Sequence, residues 1–562
     1  MRIGPVFAGI FVAALVSAAP EIFPLKNVRA GQKGVGRTVF SGTKVEEFQV
    51  EILGVLDNLG PKESIIIARL KGGPLEHTGV MQGMSGSPVY IDGKLAGAVA
   101  LSFPFSKDPI AGIRPIEDML RVEPVKAARA AARTQFQENV RLEEIATPVS
   151  FSGFTAATLE HFAPQLRAMG MDPRQGVSGG GRPGDAMGDP KNLEPGSMIS
   201  AQLLSGDYSI SADGTVTCID EGKIYAFGHR FMAAGPTEIP FAKAEVLTLL
   251  PNVSSSFKIS TAREWMGALT EDRTTAVAGV MGRRAQMAPV EIRVGSNVYH
   301  MQVVQDRVMT PLVAQMALYS AIDATERSQG SSTFSVKGSL EFQGGTVAVN
   351  NLYSGDVAVS VLASLGLGSS LNYAMSSGFD AFQLKAIKLG VDVAEKRSLM
   401  QIVDIAAPRS AHPGEDVEIV VTLSGDGGAE LQTRVTYRVP VGASPGTLNF
   451  TAADAGSTNA TEFGPSVGLQ PHSASQVFAF LNGLRTNTKA YVRVWRNDAA
   501  YTVDGKDFPA PPPSVALILG RAQTQSTASA NVRGSKLAEI EIAAGDHVVS
   551  GAKTVQVEVK EQ

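Results

Sequence analysis

A chain of 562 residues is too long for one hydrophobic core, so several domains are expected. Hydrophobic residues make up 44% and charged residues 19%, the balance of a globular protein, which excludes a disordered chain. A formal net charge of −4, with no basic run or aromatic-basic stripe, excludes an electrostatic approach to nucleic acid or an anionic membrane.

At the start, Arg2 is the only charge before Glu21, and Pro5 to Val16 form an apolar run that ends in small residues. Residues 1–18 therefore read as a signal peptide. The run is short for a membrane span, which needs about 20 residues, although an uncleaved anchor is the alternative. The rest is expected to be exported, in a periplasm, at the cell envelope or outside the cell, with no transmembrane segment after cleavage.

Residues 24–125 read as strands, with VEEFQVEILGVL, ESIIIARL, GSPVYI and KLAGAVAL alternating or running apolar between Gly, Asn and Asp, and PIEDMLRV closing as a short helix. Residues 126–195 change character: two stretches carry helical spacing, at 126–140 and 156–170, and 177–190 is a Gly/Pro-rich loop. This reads as a helical connection, with His161 on a helix surface. Strands return over 196–310, including GTVTCID, KIYAFGH and TTAVAGVMG. Residues 311–390 read as an α+β module of helix, hairpin and helix. Residues 391–562 are β-rich, with HPGEDVEIVVTLSG and LQTRVTYRVPV as paired strands of a β-sandwich. The single cysteine, Cys218, excludes an intramolecular disulfide and reads as a buried small hydrophobe in GTVTCI. No cofactor and no metal are expected.

Chemistry concentrates at GMSGSP, Gly83 to Pro88, which precedes a strand, an Asp92-Gly93 turn and an apolar strand. A serine hydroxyl attacks only when a base takes its proton, and the developing oxyanion needs backbone N–H donors aimed at it. Glycines beside Ser85 let the chain turn so that the N–H groups of Gly83 and Ser85 converge as an oxyanion hole, while Gly86 leaves the approach of a substrate open. A Gly/Ser-rich hairpin turn is the plain alternative. The full G-x-S-G-S-P, followed by strand, turn and strand, is similar to the nucleophile loop of chymotrypsin-like serine peptidases. Ser87 is the second choice, with a structural role.

Seven histidines are available as the base. His300 lies in a strand, His412, His472 and His547 lie in the C-terminal half, and His77 reads as a loop-surface residue. His229 ends a strand-turn-strand run, where a two-barrel serine peptidase places its general base.

These two blocks resemble the SpoIVB-type serine peptidases. HTGVMQGMSGSPVYIDGKLAGAVALSF is similar to the family's nucleophile half, and ADGTVTCIDEGKIYAFGHRF to its histidine segment, which puts Ser85 and His229 on the catalytic pair. SSSFKIS and MGALTEDRTTAVAGVMG loosely follow the region after the histidine. The resemblance implies a mainly β fold: two halves of a chymotrypsin-like β-barrel peptidase, at 24–125 and 196–310, in permuted order. It also implies restricted endoproteolysis of a protein or peptide substrate, or of the chain itself.

The chain departs from the family in two ways. Ser85 precedes His229 instead of following it, and geometry, not chain order, defines such sites. The family's acid position falls near Leu70, which cannot orient an imidazole, and Asp272 in TEDRT is a weak replacement. The acid then comes from elsewhere, the pair works as a dyad, or activity has decayed. In the last case the chain is an inactive peptidase-like scaffold that binds an envelope partner through its C-terminal β domains.

Overall fold

The computed structural model describes residues 20–561, except 61–62, 104, 122–142, 146, 176–183, 185, 254, 326–329, 464–470, 498–499, 504–505, 510–511, 523–528 and 532–533. The signal-peptide reading, the helical spacing at 126–140 and most of the Gly/Pro-rich stretch lie outside these residues. Strands take 52% and helices 20% of the described residues, so the fold is mainly β as expected. It divides into two compact units, Met1–Ala288 with His300–Val313, and Pro289–Tyr299 with Ala314–Gln562.

The first unit opens with β1 (Lys33–Val39), β2 (Val45–Gly60), β3 (Glu63–Lys71), β4 (Pro88–Ile91), β5 (Lys94–Ser102) and β6 (Ile110–Pro115). They pair antiparallel in the order β1-β2-β3-β6-β5-β4, and β4 returns to β1, closing a six-stranded barrel without free edges around the ring. Period-two patterning fills it: Phe48, Val50 and Ile52 from β2 meet Ile66, Ala68 and Leu70 from β3, with Val89, Val99 and Ile113. The hairpin from β4 to β5 turns through Asp92 and Gly93, both at positive φ, the backbone that matches the twist of its strands. A four-residue helix α1 (Leu75–Thr78) leads into the loop before β4, and α2 (Ile116–Leu120) follows β6.

After residues 122–142 the chain runs as β7 (Glu143–Glu144), β8 (Thr147–Ser152), α3 (Ala156–Ala168) and β9 (Met171–Gln175). Thr155 caps α3 by accepting from Thr158 N, Gly170 at positive φ follows its end, and β9 lies parallel to β8, with α3 as the crossover.

A second set comprises β10 (Met198–Gly206), β11 (Ser209–Asp220), β12 (Lys223–Ala226), β13 (Gly235–Leu250), β14 (Phe257–Asp272) and β15 (Val277–Met281). Their order β10-β13-β14-β15-β12-β11, closed by β11 on β10, makes a second antiparallel six-stranded ring. The two halves expected at 24–125 and 196–310 thus each close as a barrel. Bulges interrupt the long β13–β14 ladder four times, which lets two 16-residue strands bend around the ring.

In the second unit, strands Ser332–Phe342 and Gly345–Gly355 form the expected hairpin, which extends through Leu384–Ala394, and Val359–Ser376 is a helix. Beyond it, Asp416–Gly425 and Glu430–Arg438 pair in register within a four-stranded sheet. A five-stranded sheet shares its core: Ile419 and Val421 from the first sheet pack with Phe450, Val492 and Val557 from the second, as a β-sandwich requires. Among the described residues, no helix is long and apolar enough to cross a membrane.

Candidate active site

Ser85 sits in the loop between α1 and β4, held on three sides. Gly83 at φ +89° and Gly86 at φ +90° bracket it in backbone that only glycine adopts without strain. Within the first barrel, Gly86 N donates to Val99 O at 2.7 Å and Val99 N to Ser87 O at 2.9 Å, so the loop lies along β5. From the second barrel, Thr215 N donates to Ser85 O at 2.8 Å, and the Thr215 and Thr217 hydroxyls donate to Gly83 O and Gly86 O at 2.8 and 2.7 Å. Gln82 N also donates to Ser256 O, at 2.9 Å. Neither barrel positions this loop alone.

Gly86 has a different reason from the one expected. A Cβ there would stand 2.0 Å from Thr215 O and 2.5 Å from Phe227 N. The missing side chain lets the two barrels dock on the loop and does not clear a path for substrate. The N–H groups of Gly83 and Ser85, by contrast, donate to no acceptor among the described residues, while those of Met84, Gly86 and Ser87 are all used. The two donors expected at the oxyanion position are therefore free.

His229 follows β12 on a turn in which Phe227 and Gly228 both have φ +70°. Phe227 N donates to Thr215 O, the residue that also holds Ser85. Gly228 lies flat on β5, where a Cβ would meet Ala100 Cβ at 3.1 Å and Val99 O at 3.3 Å, and its carbonyl accepts from Arg114 Nε. The serine loop and the histidine turn are thus brought together by Gly86 against Phe227 and by Gly228 against Val99 and Ala100. The other six histidines are exposed or half-buried, whereas His229 is buried.

Among the described residues the imidazole has one hydrogen-bond partner: Nδ1 lies 2.7 Å from Arg230 O. A carbonyl only accepts, so Nδ1 carries the proton and the Nε2 lone pair is left free. Burial holds the His229 pKa below the ordinary imidazole value, against an opposing pull from Glu144. Ser85 Oγ and His229 Nε2 are both buried, and neither has a hydrogen-bond partner, so they are not bonded to each other.

Asp272 is not the partner of the imidazole. Its buried carboxylate accepts from the backbone N–H groups of Phe231, Met232 and Ala234 at 2.8, 2.7 and 3.1 Å, organising the chain just after His229. The sequence reading also missed a polar cluster under the loop. Lys258 Nζ donates to Thr38 Oγ1 at 2.7 Å, Ser87 Oγ donates to the same hydroxyl at 3.1 Å, and Asp213 accepts from Ser200 and Ser260 at 2.5 Å each. Burial pushes the Lys258 ammonium down to about 7 and raises the Asp213 carboxyl. The Lys258 stem packs where a Gly83 side chain would be, and Ser87 is tied into this cluster. Cys218 is a buried thiol whose pKa burial raises to about 12, as its apolar setting suggests.

Two closed antiparallel barrels thus carry a glycine-bracketed serine on one and a buried histidine on the other. Residues 12–120, the segment that carries Ser85, match the family model for SpoIVB peptidase S55. The match takes in the serine block and ends before the histidine block and His229. No curated protein and no solved structure matches the chain.

Proposed function

We propose that the chain is an exported serine endopeptidase in which Ser85 and His229 work as a dyad and the Arg230 carbonyl takes the orienting place of an acid. Ser85 Oγ attacks a peptide carbonyl carbon while His229 Nε2 takes the hydroxyl proton. The oxyanion meets the N–H groups of Gly83 and Ser85. The imidazolium then returns its proton to the leaving amine, and water hydrolyses the acyl-enzyme by the same steps. The observation that carries this reading is the pair of buried, unpartnered atoms, Ser85 Oγ and His229 Nε2, on two loops tied to one residue, Thr215. The SpoIVB peptidase match supports a protein substrate, and the pattern of residues 1–18 supports export.

A fluorophosphonate probe tests it. Wild-type chain is expected to form a covalent adduct that Ser85→Ala abolishes and His229→Ala slows by at least about 10³-fold. Labelling untouched by Ser85→Ala would remove Ser85 as the nucleophile. One feature supports a second reading, an inactive scaffold that binds an envelope partner through its sandwich: the two catalytic atoms are sealed and not bonded to each other. That reading expects no adduct under any condition.

A further inference from the structure

One edge of β5 is occupied along its length by successive partners. Pro88–Ile91 of β4 covers Lys94–Ala98, and the serine loop then takes Val99 through Gly86 N and Ser87 O. Past that point comes β7, antiparallel, with Glu144 opposite Leu101 and Glu143 opposite Ser102. A bulge between Val99 and Leu101 in the β5–β6 ladder turns two successive carbonyls to this edge. The first, Val99 O, accepts from Gly86 N, and the second, Ala100 O, accepts from Ile145 N at 2.9 Å. The strand Glu143–Ile145 therefore begins where the serine loop stops.

The same three residues reach both catalytic loops. The Ile145 side chain is buried in the same hydrophobic cluster as Val99 and Met84, the residue that precedes Ser85 in the chain. Glu144 pairs with Arg230 at 3.3 Å, the residue whose carbonyl orients His229. An extended segment that adds to a sheet edge next to the serine loop through backbone bonds, and buries one side chain in the core below that edge, has the geometry of a bound peptide.

We propose that Glu143–Ile145 is a tethered pseudosubstrate: it occupies the edge of β5 on which a substrate peptide docks, and it must leave for that peptide to enter. This rests on the reading of Ser85 as the nucleophile. The substrate class follows from the occupant, an extended peptide with an aliphatic side chain at the position of Ile145, preceded by an acidic residue that meets Arg230. Release of the segment opens the edge at Ala100–Ser102, and the first peptide residue to bind there lies next to the free N–H groups of Gly83 and Ser85.

The test uses the full chain in two arms. Ile145→Pro removes the N–H that bonds Ala100 O, and Glu144→Ala breaks the pair with Arg230 without touching the buried cluster. In a Ser85→Ala background, a fluorescent peptide with the sequence of residues 141–147 is expected to bind each variant at least about 10-fold more tightly than the parent. The same peptide with Asp in place of its Ile should not compete. Equal binding to parent and both variants would overturn the proposal. In the second arm, with Ser85 present, both variants should react with the fluorophosphonate at least about 10-fold faster than wild type. Tighter peptide binding without any labelling would keep the pseudosubstrate and sink the nucleophile. Rapid labelling of wild type, unchanged in the variants, would keep the nucleophile and sink the pseudosubstrate.

Discussion

Three residues separate positioning from chemistry. Gly86 holds the serine loop between the barrels, and any side chain there meets the Thr215 carbonyl and the Phe227 backbone. Gly86→Ala is therefore expected to abolish probe labelling and to cost about 2–3 kcal/mol of stability, read from denaturant unfolding, because φ +90° and a backbone clash act together. Asp272→Ala leaves three buried N–H groups without an acceptor and should cost about 2–4 kcal/mol, with lost labelling following from the loosened turn. Normal thermal stability with lost labelling would instead mark Asp272 as a chemical partner of His229. For His229, burial places the folded pKa below 6.5, so the neutral base persists under mildly acid conditions. The pH profile of labelling should have its acid limb below pH 6.5, and a limb above pH 7 would contradict the lowering of the His229 pKa by burial. Lys258 runs the same way: its folded pKa of about 7 lies under the unfolded 10.5, so the unfolded chain holds more protons between those values. The stability of wild type relative to Lys258→Met should rise as pH is raised from 7 to 10. The glycine turns that carry Ser85 and His229 were legible in the sequence as local patterns. Arg230's role was not, since it acts through a backbone carbonyl, and neither was the Lys258–Thr38–Ser87 contact, which joins residues 220 positions apart.

At the scale of elements, the strands that carry clean alternation or long apolar runs were readable, and those that close the barrels were not. KGVGRTV of β1 has two glycines, one packed directly on the Phe48 ring, and so lacks the pattern of a half-buried strand. IAGIRP of β6 is short and ends in proline. Both complete the first ring, whose other members were recognised, so closure is a property of pairing and leaves little local signal. The bulged β13 and β14 were seen only in fragments, because each bulge breaks the period. β7 is two residues long and has no sequence signature at all, yet it lies beside the serine loop. Its placement makes the edge of β5 the element that decides access.

In the whole molecule, the division into two compact units predicts that unfolding is not one transition. Calorimetry should give a van't Hoff enthalpy below the calorimetric enthalpy, and a single two-state transition would argue that the division has no energetic meaning. The sandwich of the second unit was readable from paired alternating strands, while its purpose has no counterpart in the residues of the site. The central claim lies in the first unit and concerns one atom. Treating the full chain carrying Ile145→Pro with a fluorophosphonate and mapping the adduct by peptide mass spectrometry tests it most directly, because Ser85 and Ser87 share one short loop. The account predicts a single adduct on Ser85. An adduct on Ser87, or on any serine outside GMSGSP, would contradict it.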